Sequence, residues 1–240
     1  MNDFEQICRP VLFESVVPDF AYWGKGSSFL ISNPNHFYWV TATHVLNNAG
    51  ASADAIRIFP SDNSRTSLPF NEKYAIHPDS GVEGDYKDVT ILRIDLPSFD
   101  RSGDAPLIAQ DIERAVSGAE NLIGSEELWI IGYPAEQNLI DYDSRTIKTT
   151  RSTIRAEYVG GSFSNFCHTL RIRSSVKLDN LDGLSGSPIF HMKQERLNGE
   201  LVHFPILVGM LLSGTASSGI AHFVSSSVIA RIVTLAESQS

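Results

Sequence analysis

Three short segments carry residue types that work together in nucleophilic catalysis. His44 follows the apolar run YWVTAT, Asp88 leads into the run VTIL, and Ser185 lies in the turn DGLSGSP. A serine hydroxyl is a weak nucleophile until an imidazole takes its proton, and a carboxylate holds that imidazole in one tautomer. Singly, each residue has an ordinary structural explanation as a hydrogen-bonded histidine, a strand-capping aspartate or a turn serine. Together they predict an activated serine.

The turn around Ser185 also has the composition that an oxyanion site requires. The negative charge on an attacked carbonyl is stabilised by two backbone N–H groups aimed at one point. Gly183 removes a side chain that would block a close backbone approach, and Gly186 permits a sharp turn. This segment therefore predicts an exposed nucleophile beside an oxyanion hole.

Composition excludes several classes of protein. The 240 residues are 42% hydrophobic and 20% charged, which suits a globular domain rather than a disordered or collagen-like chain. A net charge of -9 argues against non-specific nucleic-acid binding. Two cysteines, Cys8 and Cys167, supply neither a disulfide framework nor a four-thiolate zinc site. We expect a reduced, cytoplasmic protein that uses no metal and no cofactor.

The sequence contains no pattern typical of export or membrane insertion. The acidic N-terminus lacks a basic segment followed by an apolar one. The longest apolar run, residues 204–212, is far shorter than the roughly twenty residues of a membrane helix. We therefore expect no secretory signal and no membrane partner.

The elements that would position these residues are short strands. Val-, Ile-, Phe-, Tyr- and Thr-rich runs alternate with turn residues, which is typical of an all-β barrel or sandwich. They lie at 28–31, 38–45, 55–59, 88–94, 127–131, 149–159, 169–178, 188–191, 201–212 and 220–224. One helix is predicted at the C-terminal end, where the serines at 225–227 offer N-caps and apolar residues follow at helical spacing. Residues 100–126 differ in composition and predict a connection between two β-rich halves.

The three motifs resemble those of the chymotrypsin/trypsin-like serine peptidase family. TATHV around His44 resembles the family's Thr-Ala-Ala-His segment, DVTIL from Asp88 its Asp-Ile-Ala-Leu segment, and GLSGSP around Ser185 its Gly-Asp-Ser-Gly-Gly-Pro segment, in the same chain order. GKGSSFLI, residues 24–31, resembles the first strand of the intracellular, HtrA-like branch. The resemblance covers residues 21–224.

The resemblance implies a fold and a role for each residue. It implies two antiparallel six-stranded β-barrels, residues 1–108 and 109–240, with the active site in the cleft between them and a C-terminal α-helix. Ser185 would be the nucleophile, His44 the general base and acid, and Asp88 the residue that orients His44. Asp85 is a nearby rival that fits the motif less well. The N–H groups of Gly183 and Ser185 would form the oxyanion hole.

The implied function is a serine endopeptidase that hydrolyses protein or peptide substrates through an acyl-enzyme. A catalytically silent pseudo-protease, acting as a protein-interaction module, is the alternative. An α/β-hydrolase is rejected because its order is Ser, acid, His, and no aspartate follows Ser185.

Two departures from the family bear on regulation. Leu184 stands where secreted members carry an acidic residue that pairs with a new N-terminus, so we expect no activation by N-terminal processing. We also expect no PDZ domain. Two hypotheses explain how activity is restrained: strict sequence specificity, or an oxyanion loop at residues 181–184 that forms only when a protein partner or substrate binds.

Substrate preference depends on Asp179. It lies six residues before Ser185, where trypsin-like members carry the carboxylate at the base of the S1 pocket. Ser213, Gly214 and Gly219 would then belong to the pocket wall. A buried carboxylate selects a cation, so this register predicts cleavage after Arg or Lys. Asp179 is equally compatible with a solvated loop, and a shifted register would make Asp182 the pocket acid.

Overall fold

Two large β-sheets and a C-terminal helix form the framework of the chain in a computed structural model. The structure describes residues 3–17, 22–47, 53–62, 64, 66–76, 85–99, 106–113, 116–141, 143, 146–162, 164–173, 179–197 and 199–238. The predicted all-β class with one C-terminal helix is confirmed.

The first sheet is built from the N-terminal half of the chain. Its strands are β1 (Cys8–Glu14), β2 (Tyr22–Ser32), β3 (Phe37–Thr41), β4 (Ile56–Arg57), β5 (Phe70–Ala75) and β6 (Thr90–Ile94), with α1 (Thr43–Asn47) after β3. They are antiparallel in the order β4-β1-β2-β3-β6-β5, and β7 (Gln110–Asp111) is added parallel to β2.

The second half forms a closed barrel. Its strands are β8 (Glu127–Gly132), β11 (Ser152–Gly161), β12 (Cys167–Ile172), β13 (Pro188–Leu197), β14 (Glu200–Thr215) and β15 (Ile220–Ser225). They close in the order β11-β12-β15-β14-β13-β8. A hairpin of β9 (Leu139–Asp141) and β10 (Thr146–Lys148) lies apart from the barrel sheet, and α2 (Ser226–Glu237) ends the described chain.

The predicted division into two β-rich halves, with a sheet or half-barrel in each, is confirmed, and strand pairing closes the second one completely. Within the described residues, β4 and β5 form the two edges of the first sheet and do not pair with each other. Next to these two-residue and six-residue strands, the main-chain N–H of Leu68 donates to the carbonyl of Ile58 at 2.7 Å, and a cavity of about 830 Å³ is lined by both strands. Along the chain, β7 is the last strand of the first sheet and β8 is the first strand of the barrel. Residues 100–105 of the predicted connection lie outside the described residues, and the 108/109 boundary stays a prediction.

The helix α2 joins the two halves through their shared core. Ser225 accepts a hydrogen bond from the N–H of Ser227 and caps the helix, as the run of serines predicted. Buried Val228, Ile229 and Ile232 pack into a core that includes residues of the first sheet and of β14 and β15. Each such side chain contributes about 1.5–3 kcal/mol through burial. None of the described helices is long and apolar enough to cross a membrane.

The N-terminal segment also ties the halves together. Phe4 packs edge-on against Phe190 with ring centroids 5.2 Å apart, and the thiol of Cys8 donates to the carbonyl of Ile131 at 3.0 Å. Burial raises the pKa of Cys8 to about 12, so the thiol keeps its proton and remains a donor. Cys167 is buried as well, and neither cysteine forms a disulfide.

A buried histidine in the barrel makes stability depend on pH. His168 lies against Phe223, its Nδ1 lies 2.9 Å from the hydroxyl of Tyr158, and its Nε2 is buried without a hydrogen-bond partner. Burial lowers the pKa of His168, and the opposing effect of the Glu120 carboxylate is smaller.

The unfolded chain therefore takes up this proton at a higher pH than the folded chain. We expect the melting temperature to fall as the pH drops through about 6.5, more steeply in the wild type than in His168→Asn. The replacement of the exposed His203 by Asn is the control and should keep the wild-type slope. Equal pH slopes in all three proteins would contradict the assignment to His168.

Candidate active site

His44 and Asp88 form an imidazole–carboxylate pair in the N-terminal half of the chain. Nδ1 of His44 lies 2.5 Å from Oδ2 of Asp88, and Oδ1 of the same carboxylate accepts the main-chain N–H of His44 at 2.8 Å. A carboxylate in its ionised form only accepts hydrogen bonds, so Nδ1 carries the proton and Nε2 is left as an acceptor. One carboxylate thus holds both the backbone and the tautomer of His44.

Local structure brings this pair together. β3 pairs with β6, so the residues after β3 lie beside those before β6. His44 belongs to the short helix α1 rather than to a strand end, and buried Val45 and Leu46 fix that helix in the core. The main-chain N–H of Thr43 also donates to the carbonyl of Asp88 at 3.3 Å.

His44, Asp88 and Ser185 line one cleft of about 990 Å³. The rest of its wall includes residues 181–183 and 211–214 from the barrel half. The side chains of His44 and Asp88 are 37% and 26% exposed. The imidazole is therefore accessible to a molecule in the cleft, while its carboxylate partner is more shielded.

The Ser185 hydroxyl donates its proton to the main-chain carbonyl of Leu212 at 2.8 Å. This bond directs the proton to β14 rather than to His44. Attack on a carbonyl would require the hydroxyl to rotate toward Nε2 of His44, at the cost of one hydrogen bond worth about 0.5–1.5 kcal/mol. Catalytic hydrogen bonds are often long or misaligned before substrate binds, so this orientation is compatible with catalysis.

The loop around Ser185, residues 181–187 (the Ser185 loop), has two main-chain N–H groups that are available to donate to a bound molecule. The carbonyl of Asp182 accepts the N–H of Ala135 at 2.8 Å, and the carbonyl of Leu184 accepts the N–H of Ser187 at 3.0 Å. In a trans peptide the N–H points opposite to the carbonyl, so the N–H groups of Gly183 and Ser185 point away from these partners. Among the described residues, neither of these two N–H groups donates to a side chain or to a main-chain carbonyl in a turn or loop.

Ser27 of β2 holds the Ser185 loop from the first sheet. Its hydroxyl donates to the carbonyl of Gly183 at 2.7 Å and accepts the N–H of Tyr133 at 2.9 Å. Its own main-chain N–H donates to the carbonyl of Ser185 at 2.9 Å. A fully buried residue of one half thus fixes two carbonyls of the loop in the other half.

Leu184 anchors the same loop in the barrel. Its side chain is fully buried in the barrel core, next to Gly132 of β8, where an added Cβ would lie 2.8 Å from Cδ2 of Leu184. Burial of a leucine stabilises the loop by about 1.5–3 kcal/mol. This apolar contact gives the loop a fixed position without a charged latch.

Comparison with known proteins agrees with this geometry. The family model of the trypsin-like peptidase domain matches residues 26–199, which is more than half of the chain. The chain belongs to this family. Among solved structures, human heparin binding protein aligns with a TM-score of 0.61 over 98% of this chain and 92% of its own length. The two share 9% identity, so that likeness shows the peptidase fold alone. A search of curated proteins finds no match.

The S1 region of this peptidase domain differs from the sequence-based expectation. Ser213 and Gly214 line the cleft, but neither Asp179 nor Gly219 does. Asp179 is exposed, and its main-chain N–H donates to Glu136 at 3.2 Å. Asp179 thus lies at the surface outside this cleft, and its role in selecting the P1 residue stays a prediction. Asp182 does line the cleft, although it is also exposed.

Within residues 179–182, the buried side chain is that of Leu181 and not that of an acid. Leu181 is 9% exposed and packs into the barrel core. An added Cβ at Gly214 would lie 2.7 Å from Cδ1 of Leu181 and 2.6 Å from the Cβ of Ala221. Gly214 thus leaves room for Leu181, and its assignment to the wall of an S1 pocket stays a prediction.

Sequence reasoning missed the functional placement of Leu181 and Ser27. Leu181 is an isolated leucine in the polar segment DNLDG, a signal that an otherwise solvated loop turns inward. Ser27 lies among small residues in GKGSS, which indicates close packing but not the partner. The described residues contain no group of three His, Cys, Asp or Glu side chains that could hold a metal ion.

Gly186 is a position where the peptidase loop tolerates no side chain. Its φ is +88°, and an added Cβ would lie 2.0 Å from the carbonyl oxygen of Ser27. We expect Gly186→Ala to lower the free energy of unfolding by about 2–4 kcal/mol in urea titrations, through backbone strain and displacement of β2. Gly124→Ala is the matched control, because a Cβ there meets nothing within 4 Å. Equal stability of both variants would show that this close approach is absent.

Proposed function

We propose that this chain is a serine endopeptidase in which Ser185 forms the acyl-enzyme. The observation that carries the proposal is the His44–Asp88 pair at 2.5 Å, which opens onto the same cleft as Ser185. With Nδ1 engaged by Asp88, Nε2 of His44 is the general base for the Ser185 hydroxyl.

The proposed reaction follows from these positions. The Ser185 hydroxyl leaves the carbonyl of Leu212, passes its proton to Nε2 of His44, and attacks the substrate carbonyl carbon. The N–H groups of Gly183 and Ser185 stabilise the oxyanion of the tetrahedral intermediate. His44 then protonates the leaving amine, and a water activated by the same imidazole releases the acid product from Ser185. Asp88 orients His44 and balances its charge when it is protonated.

A pseudo-protease that acts as a protein-interaction module is the second candidate. The observation that favours it is the hydrogen bond from Ser185 to Leu212, which directs the hydroxyl away from the base. Breaking this hydrogen bond costs about 0.5–1.5 kcal/mol, which is small compared with the free energy by which enzymes lower an activation barrier. We therefore prefer the enzyme.

Hydrolysis of a mixed fluorogenic peptide library by purified protein tests the proposal. The wild type should turn over peptides, and Ser185→Ala should lower kcat by at least about 10⁴-fold without loss of folding. Folded wild-type protein that hydrolyses nothing would favour the pseudo-protease. The same assay with and without cell extract tests the activating or restraining protein partner, which stays a prediction. The cytoplasmic location and the HtrA-like branch also stay predictions.

A further inference from the structure

One end of the cleft is lined by an apolar side chain, that of Leu181. A substrate carbonyl placed at Ser185 would direct the side chain on its acyl side, the P1 residue, between the Ser185 loop and the 212–214 segment of β14. Leu181 and Gly214 meet there, because a Cβ added at Gly214 would lie 2.7 Å from Cδ1 of Leu181, closer than van der Waals contact. Because Leu181 is 9% exposed and packed in the barrel core, its side chain cannot move aside to admit a large substrate side chain.

The chemistry of this end is apolar. Leu211, Leu212 and Leu181 line it, together with Ser213 and Gly214. The carboxylate that would select a cation is absent from its lining, since Asp179 lies exposed outside the cleft. Asp182 lines the cleft but is exposed to water, where an ion pair contributes little selectivity.

We propose that Leu181 restricts the P1 residue to a small uncharged side chain, so that the substrates are peptides cleaved after Ala, Ser or Gly. This inference rests on the proposed peptidase function and names its substrate class. Leu181 is a specificity-determining residue that acts by occupying the volume a long P1 side chain would need. A pocket that lacks room for added atoms discriminates by about 10-fold or more for each misfit group.

A set of covalent probes separates this inference from the proposed function. A small alkyl fluorophosphonate carries no P1 side chain and reports only whether Ser185 is activated. Peptidyl diphenyl phosphonates with Ala, Phe or Arg at P1 report the pocket. We expect the Ala probe to modify the wild type at least about 10-fold faster than the Phe and Arg probes, measured by intact mass.

Variants at Leu181 assign the effect to that side chain. Leu181→Ala should raise the rate with the Phe probe at least about 10-fold relative to the Ala probe, and Leu181→Val should give a smaller shift in the same direction. Leu181→Val keeps the test available should the larger truncation fail to fold. Leu122→Ala removes a leucine from the edge of the same barrel core, outside the cleft, and should keep the wild-type preference.

Each outcome has one meaning. Fastest modification by the Arg or Phe probe, with normal labelling by the alkyl probe, overturns the inference and leaves the peptidase proposal intact. A small-P1 preference that persists unchanged in both Leu181 variants overturns the role of Leu181. Failure of the alkyl probe to label folded wild type overturns the proposed function and the inference together.

Discussion

Asp88→Asn is expected to lower kcat by about 10⁴-fold while the fold is retained. The carboxylate accepts two hydrogen bonds, from Nδ1 and from the main-chain N–H of His44. An asparagine preserves the shape, but its amide can present an N–H to Nδ1, which moves the imidazole proton to Nε2 and removes the base. The measurement is peptide hydrolysis under saturating substrate, with the melting temperature as the check on folding.

Asp179→Asn is the control for this substitution. It makes the same chemical change at an exposed aspartate outside the cleft and should leave kcat and the P1 preference unchanged. If the two substitutions had equal effects, or if Asp88→Asn kept full activity, Asp88 would not orient the base. A loss of Arg and Lys cleavage in Asp179→Asn would restore the expectation that Asp179 selects cations.

Ser27→Ala is expected to lower kcat by about 10²-fold with little change in KM. The Ser27 hydroxyl holds the carbonyl of Gly183, in the peptide that lies between the two donor N–H groups of Gly183 and Ser185. Loss of the hydroxyl lets this peptide move, so the donors are no longer aimed at one point. Ser27 touches no substrate and is a positioning residue. Removal of one oxyanion donor typically costs 10²–10³-fold in kcat, and misplacement of the donor should cost somewhat less.

The neighbouring serine supplies a matched control. Ser28 is also fully buried in β2, but its hydroxyl donates to the carbonyl of Arg9 at 2.8 Å, in β1. Both Ala variants should lower the free energy of unfolding by about 1–3 kcal/mol, because each leaves a buried polar group without its partner. Only Ser27→Ala should change kcat. A similar fall in kcat for both would indicate that Ser27 has a purely structural role.

The sequence predicted the candidate site well where the information is local. The motifs around His44, Asp88 and Ser185 each span a few residues, and their residue types follow directly from the chemistry of an activated serine. Their separation in the chain requires strands to bring them together, and the short β-runs supplied those strands. The C-terminal helix and its Ser225 cap were predicted for the same reason, since capping and helical periodicity are local properties.

The features that depend on distant contacts were not predicted. The direction of Leu181 is set by the barrel core and by Gly214, which lies 33 residues away in the chain. Counting residues back from Ser185 assigned the pocket base to Asp179 because spacing alone carries no information about which side chain turns inward. The strand β4 contains only two residues, and a pattern of apolar residues does not reveal where a strand stops pairing. Ser27 gains its role only through partners more than 100 residues away.

The central claim is that Ser185 is a nucleophile activated by His44. Stoichiometric reaction with an alkyl fluorophosphonate, followed by intact mass and peptide mapping, tests it most directly. We predict one adduct per folded molecule, located on Ser185, and at least about 10³-fold slower labelling in His44→Ala. Folded wild type that forms no adduct, or labelling that is equally fast without His44, would contradict the claim.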